Sequence, residues 1–256
     1  MICSSNKYAL LRPQTDVRTL VPSVPLTPRR QVGYSVDRPV NSTWMFMGQV
    51  SDTKEKLLAG AIELMYARSY TSVGVQELCD HAGVKKGSFY HFFPSKCELT
   101  LAALDRQAQV TRRTMLEPAF SKDRPPLKRL EKWFDIIYEQ TAAMKKQNGH
   151  VCGCAIGNLA IEMSTLEEPI RRKVDQMLRG LTTYVEEALR DAIEAREVPK
   201  QDTRISAEAL VAYMEGVMLL AKTRNDPEVI RHLGRNYLRS LAGGASARAK
   251  TRRGAV

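Results

Sequence analysis

Two stretches of the sequence concentrate side chains that could do chemistry. The first, residues 71–96, reads TSVGVQELCDHAGVKKGSFYHFFPSK. Its centre holds Lys85, Lys86, Gly87 and Ser88 at the start of a short expected helix. Two cations, a residue without a side chain and a hydroxyl suit close approach to phosphates and base edges. Tyr90 and His91, one turn later, can donate to a nucleic-acid backbone or pack on a thymine methyl. Thr71, Ser72 and Lys96 flank this helix pair and can reach neighbouring phosphates through hydroxyls, backbone N–H groups and charge. The second stretch, residues 150–174, reads HVCGCAIGNLAIEMSTLEEPIRRKV. Gly153-Cys154 opens a helix there, and unpaired N–H groups at a helix start favour a thiolate. Asn158 shares the Cys154 face at i+4, and Glu162 continues that line. Lys222 ends an apolar run, either as a snorkelling end or as a charge facing a pocket.

Bland readings of the same residues stand beside these. Lysines on a small helical hairpin can be simply solvated, and a lone buried cysteine is usually a small hydrophobe. His150, Cys152 and Cys154 fall short of the four ligands of a closed zinc site, so no metal and no cofactor are expected. A Cys152–Cys154 disulfide would be strained. Cys79 suits the helical core, and Cys97 a helix surface or core. An enzyme using Cys154 as nucleophile lacks support: there is no phosphate loop, dinucleotide fingerprint, HExxH or nucleophile elbow.

The elements that must position these groups read as helices. Beyond residue 51, apolar positions recur at helical spacing through segments near 51–65, 75–82, 86–92, 95–117, 127–144, 154–163, 170–195, 205–222 and 226–241. That is an all-α chain of about nine helices with no convincing strand. Gly83 marks the turn between the second and third, and Ser95 with Glu98 forms a capping-box pattern. Phe134, Tyr138, Tyr213 and Met218, with Trp133 and Tyr184, are candidate pocket walls or plain core. Ala207, Ala209, Ala212 and Gly216 would let the helix at 205–222 approach a partner helix closely.

The chain has 256 residues and a net charge of +11. Residues 1–50 and 243–256 carry +4 each, while the long middle is nearly balanced. Basic arms of this kind bind polyanions through counterion release, and are also what solvated tails look like. Pro13, Pro22, Pro25, Pro28 and Pro39 make 1–50 read as a disordered arm. A translation start at Met45 or Met47 would give a conventional chain without it. The expected division is arm 1–50, helix–turn–helix head 51–97, sensor and dimerisation domain 98–242, and disordered basic tail 243–256. No stretch is apolar enough to span a membrane and no secretory signal is evident, so a cytoplasmic protein with reduced thiols is expected.

The string KKGSFYHFFPSK, with TSVGV and AGV before it, resembles the DNA-binding domain of the TetR family of one-component bacterial repressors over about residues 51–100. Lys85 departs from the small polar residue of many members. The resemblance implies a homodimer with two reading heads on palindromic double-stranded operator DNA, a four-helix dimer interface, and a helical domain that binds a small-molecule inducer and releases DNA. Residues 150–174 and 215–238 are similar to a subgroup with a G-C-[hydrophobic]-x-G-N-L-x-x-E sensor segment, whose members respond to acrylate and to electrophiles such as maleimides and reactive aldehydes. In that subgroup a lysine at the place of Lys222 lies near the sensor cysteine. Two inducer chemistries stay open: covalent or oxidative modification of Cys154, and reversible binding of a small carboxylate by Lys222 and Asn158. The coupling would run through pendulum-like movement of the helix at 95–117. The alternative is an architectural DNA-binding protein with no ligand.

Overall fold

A head of three helices begins the part of the chain that the computed structural model describes, residues 52–253, with side chains placed as far as residue 243. The arm and its alternative start sites lie outside the described residues. In α1 (Asp52–Ala67) Leu57, Leu58, Ala61 and Leu64 form one buried face. That face meets Leu78 and Cys79 of α2 (Val75–Ala82) and Phe89 of α3 (Lys86–Phe92). The turn between α2 and α3 needs Gly83. Its φ is +65°, and its N–H returns to the Asp80 and Cys79 carbonyls, closing α2.

Ser95 caps α4 (Lys96–Thr111), its Oγ accepting from the Glu98 N–H at 3.1 Å. The expected single helix at 95–117 is interrupted. A π-helical stretch at Arg112–Leu116 separates α4 from the short α5 (Glu117–Ala119). Periodicity could not show this, because a one-residue excess in a single turn hardly disturbs an apolar stripe.

The second layer comprises α6 (Pro126–Asn148), α7 (Ala155–Met163), α8 (Glu168–Glu194), α9 (Thr203–Arg224) and α10 (Glu228–Arg253). Counting α4 to α5 as one broken helix gives nine helices and no strand among the described residues. Trp133 and Phe134 of α6, Leu189 of α8, Leu210 of α9 and Ile230 of α10 form its core. Gly234 is required there, since a Cβ on it would run into the Phe134 ring. The expectation that the last helix ends near Leu241 and that 243–256 is a disordered tail is corrected: the backbone is helical as far as Arg253. Ala, Arg and Lys are strong helix formers, and propensity extends the helix past Gly243-Gly244.

One buried charge ties α6 to α8. Arg129 is 6% exposed and donates to Asp191, which also receives Lys122. Lys122 and Arg129 together hold the Asp191 carboxyl below its ordinary pKa, against the upward pull of burial. Such a carboxylate stabilises the fold above its unfolded pKa and loses that contribution as pH falls through the lower, folded value. Arg129→Ala is expected to cost about 2–3 kcal/mol at pH 7, somewhat under a fully buried pair because Asp191 keeps Lys122. The difference from wild type in urea melts should shrink near pH 3.

Candidate functional site

The third helix is amphipathic in the sense a groove-reading element needs. Phe89 is fully buried, with Tyr90 edge-on to it at 5.1 Å. Lys85, Lys86, Gly87, Tyr90 and His91 are exposed, Tyr90 by 52%, and Ser88 is half-buried. A Cβ on Gly87 would meet nothing within 4 Å, so the helix start is open to an approaching duplex. These six residues form one surface.

The other three residues expected to reach DNA are differently engaged. Lys96 Nζ donates to the Tyr70 and Val73 carbonyls at 2.9 and 3.0 Å and lies 3.9 Å from the centre of the Tyr70 ring. Burial lowers its pKa, with Glu162 and Glu167 opposing. Thr71 donates its N–H and its Oγ1 to Glu162, at 2.8 and 2.5 Å. Ser72 is exposed and pairs within its own turn, with Ser69.

Three of the residues expected to form a sensor, Cys154, Asn158 and Lys222, lie at or near the start of α7. Gly153 has φ +82°, which turns the chain so that Cys154 becomes the N-cap. The Cys154 Sγ accepts from the Gly157 N–H at 3.4 Å. Asn158 Nδ2 donates to the Cys152 carbonyl at 2.9 Å and Asn158 Oδ1 accepts from Lys222 Nζ at 3.0 Å. The Lys222 stem lies over Gly153, where a Cβ would meet its Cδ at 3.0 Å. Asn158 and Lys222 are thus joined beside Gly153, the residue before Cys154, and the thiol whose pKa the Lys222 charge lowers, against a larger effect of burial, is that of Cys152.

Two expectations are corrected. The helix start was expected to lower the Cys154 pKa; burial, and then the charge of Glu215, push it up to about 12, and the Gly157 and Ile156 N–H groups offset only part of this. Partial helix-end charges are weak beside desolvation and a full carboxylate at close range. Glu162 does not join Cys154. Its carboxylate faces the loop before α2, where hydrogen bonds from Thr71, Tyr70 and Ser69 outweigh burial and hold its pKa down. Phe134, Tyr138, Tyr213 and Met218, read as pocket walls or plain core, belong with Cys154 to one apolar cluster or its margin. Phe134 lies on Gly234, and Tyr138 donates to Glu228 at 2.5 Å under the Arg231 guanidinium. Tyr213 stacks on Tyr237 and donates to the Leu233 carbonyl, while Met218 is buried core.

Two residues of the site were missed. Glu215 of α9 occupies the space that a side chain at 157 would fill, a Cβ on Gly157 colliding with its Oε2. Burial raises its pKa. Tyr66 of α1 donates to the Gly153 carbonyl at 2.5 Å, and burial foremost raises its pKa. Glu215 had a signal, a lone acid in an otherwise apolar stretch; Tyr66 had none. Among the described residues no three His, Cys, Asp or Glu side chains could together hold a metal ion, and no helix is long and apolar enough to cross a membrane.

Comparison with known proteins places this geometry. Two family models match: bacterial regulatory proteins of the tetR family over residues 57–103, and the tetracyclin repressor-like C-terminal domain over residues 126–237. A HTH-type transcriptional regulator in the lacX 3' region of Lactococcus lactis is 32% identical over 182 residues, covering 70% of this chain and 88% of its own length. The HTH-type transcriptional repressor NemR of Escherichia coli is 33% identical over 143 residues, 56% of this chain and 70% of its own. Its reduced form, as a crystal structure, superposes with a TM-score of 0.65 at 29% identity, covering 74% of this chain and 96% of that one. The regulatory protein TetR from Rhodobacter sphaeroides gives 0.68 at 29% identity, over 74% and 98%.

Proposed function

The chain belongs to the TetR family of bacterial transcriptional regulators, a DNA-binding family, and from that premise we propose that it is a homodimeric repressor released from its operator when a small electrophile reacts at Cys154. The observation that carries the DNA half is α3, with Phe89 inward and a surface of Lys85, Lys86, Gly87, Ser88, Tyr90 and His91 outward. The dimer is supported by α9. Ile205, Ala209, Ala212, Gly216 and Leu219 form an exposed stripe at helical spacing, with Ile205 64% and Leu219 55% exposed. Apolar and small residues on one open face suit an isologous helix-on-helix contact, which would set the spacing of the two heads.

For the inducer, the site favours a neutral electrophile, such as an aldehyde or an unsaturated carbonyl compound, over a carboxylate. Glu215 places negative charge beside Cys154, and the Lys222 ammonium is engaged with Asn158. The test is fluorescence anisotropy with duplexes from the chain's own upstream region at several salt concentrations. Operator binding should weaken steeply with salt, and Lys85→Ala with Lys86→Ala should reduce the log–log slope by about 1 for each lysine that sits on a phosphate. N-ethylmaleimide should release the wild type and leave Cys154→Ser bound. No binding at low salt to any upstream fragment sinks the proposal, and release of Cys154→Ser by the same reagent sinks its sensor half.

A further inference from the structure

The helix that Cys154 caps is fastened to the reading head at both ends, without passing through α4. At its start, Tyr66 of α1 donates to the Gly153 carbonyl. At its end, the Glu162 carboxylate accepts the Tyr70 N–H at 2.8 Å, the Thr71 N–H at 2.8 Å and the Thr71 hydroxyl at 2.5 Å. Eight residues at 1.5 Å each put these attachments about 12 Å apart. Ile156 and Leu159 between them, and Met163 just beyond, share one apolar cluster with Tyr70 and Met65 and with Leu104 of α4.

The segment held in this way, residues 68–74, leads directly into α2. Its backbone is satisfied from two sides. Lys96, on the head's side, takes the Tyr70 and Val73 carbonyls; Glu162, on the sensor's side, takes the Tyr70 and Thr71 amides. Charge-assisted bonds of this kind are about twice as strong as neutral ones. A shift of α7 along its axis therefore either drags the start of the helix–turn–helix or breaks the three bonds to the Glu162 carboxylate.

We propose that Glu162 is a positioning residue that ties the sensor helix to the approach to α2, so that a change at Cys154 reorients the reading head through α7 itself. The inference rests on the reading of Cys154 as the sensor. Coupling is reciprocal, so operator DNA that fixes the head must also fix α7 and the cap at Cys154.

The experiment uses the full chain and N-ethylmaleimide. The rate of Cys154 alkylation, followed by mass spectrometry of its own peptide so that Cys97 and Cys152 are counted separately, is measured with and without saturating duplex selected by the wild type from a random library. In the wild type, DNA should slow alkylation at least about fivefold, because a head held by DNA depopulates the conformers in which α7 moves and its cap opens. In Glu162→Gln, which keeps the shape and loses the charge, the ratio should fall below about twofold. Thr71→Val, which removes the hydroxyl donor from the other partner, should give an intermediate ratio and decides the matter if Glu162→Gln melts prematurely. A wild-type rate unchanged by DNA overturns the sensor reading and the tie with it. Wild-type protection retained in full by both variants overturns the tie alone.

Discussion

Phe89→Ala is expected to abolish operator binding by melting the head, while Tyr90→Ala, the next residue, is expected to weaken binding and leave the fold intact. Phe89 is fully buried among Leu57, Leu78, Leu99 and Phe93, and removing such a ring costs about 3–5 kcal/mol. A core this small sits near the lower limit of independent stability, so that loss is comparable with everything holding α2 and α3 in place. Tyr90 is 52% exposed; truncating it should change stability by no more than about 0.5 kcal/mol. Its hydroxyl and ring belong to the surface proposed to face DNA, and removing one base-reading side chain there should cost about 1–3 kcal/mol, or roughly 5- to 150-fold in affinity. Circular dichroism melts and operator anisotropy on both variants separate the two effects. A Phe89→Ala chain that binds like the wild type, or a Tyr90→Ala chain that melts early, would reverse the assignment of inner and outer faces.

The pair shows why the head was legible in the sequence. Apolar spacing fixes which face of each helix is buried, Gly83 announces a left-handed turn, and the Ser95–Glu98 pattern marks where α4 starts. All of these are local signals. The expected helices at 75–82 and 86–92 agree with α2 and α3. Local signals fail where a side chain must choose among distant partners. Glu162 lies on the same line of α7 as Cys154 and Asn158, and nothing in that spacing says that its carboxylate meets residues 70 and 71 rather than the thiol. Lys96 and Lys222 have long flexible stems, so their positions in the chain restrict their ammonium groups only to a radius of several ångströms.

Glu215 differs, because its signal was present and was passed over. The segment at 205–222 is strongly apolar, and a carboxylate on the inner part of such a helix either finds a partner or gains a proton. Attention to the small residues, Tyr213, Met218 and Lys222 of that run leaves out the carboxylate whose charge adds to burial in raising the pKa of the thiol. The π-helical stretch at 112–116 has no residue that flags it, whereas the continuation of α10 to Arg253 follows the summed propensity of the Ala, Arg and Lys residues after Gly244.

The decisive prediction about the thiol follows from Glu215. With its pKa pushed to about 12, Cys154 holds a thiolate fraction on the order of 10⁻⁵ at pH 7, and its alkylation rate should rise about tenfold per pH unit beyond pH 10, where an ordinary thiol has levelled off near 9. Glu215→Gln removes the nearby negative charge while leaving the burial. Each unit by which the pKa falls multiplies the thiolate tenfold, but a less basic thiolate is a weaker nucleophile, which leaves a net gain of about threefold per unit. Gly157→Ala should act in the same direction without altering any charge, because its Cβ needs the space that the Glu215 Oε2 occupies, and a flexible carboxylate can swing away. Stopped-flow alkylation with N-ethylmaleimide across pH 7–11, with Cys154→Ser as the blank, measures all three. Faster reaction in both variants identifies Glu215 as a brake on the Cys154 thiol. Slower reaction in Glu215→Gln would make the carboxylate the base that takes the thiol proton, and the site would then be armed by the group expected to restrain it.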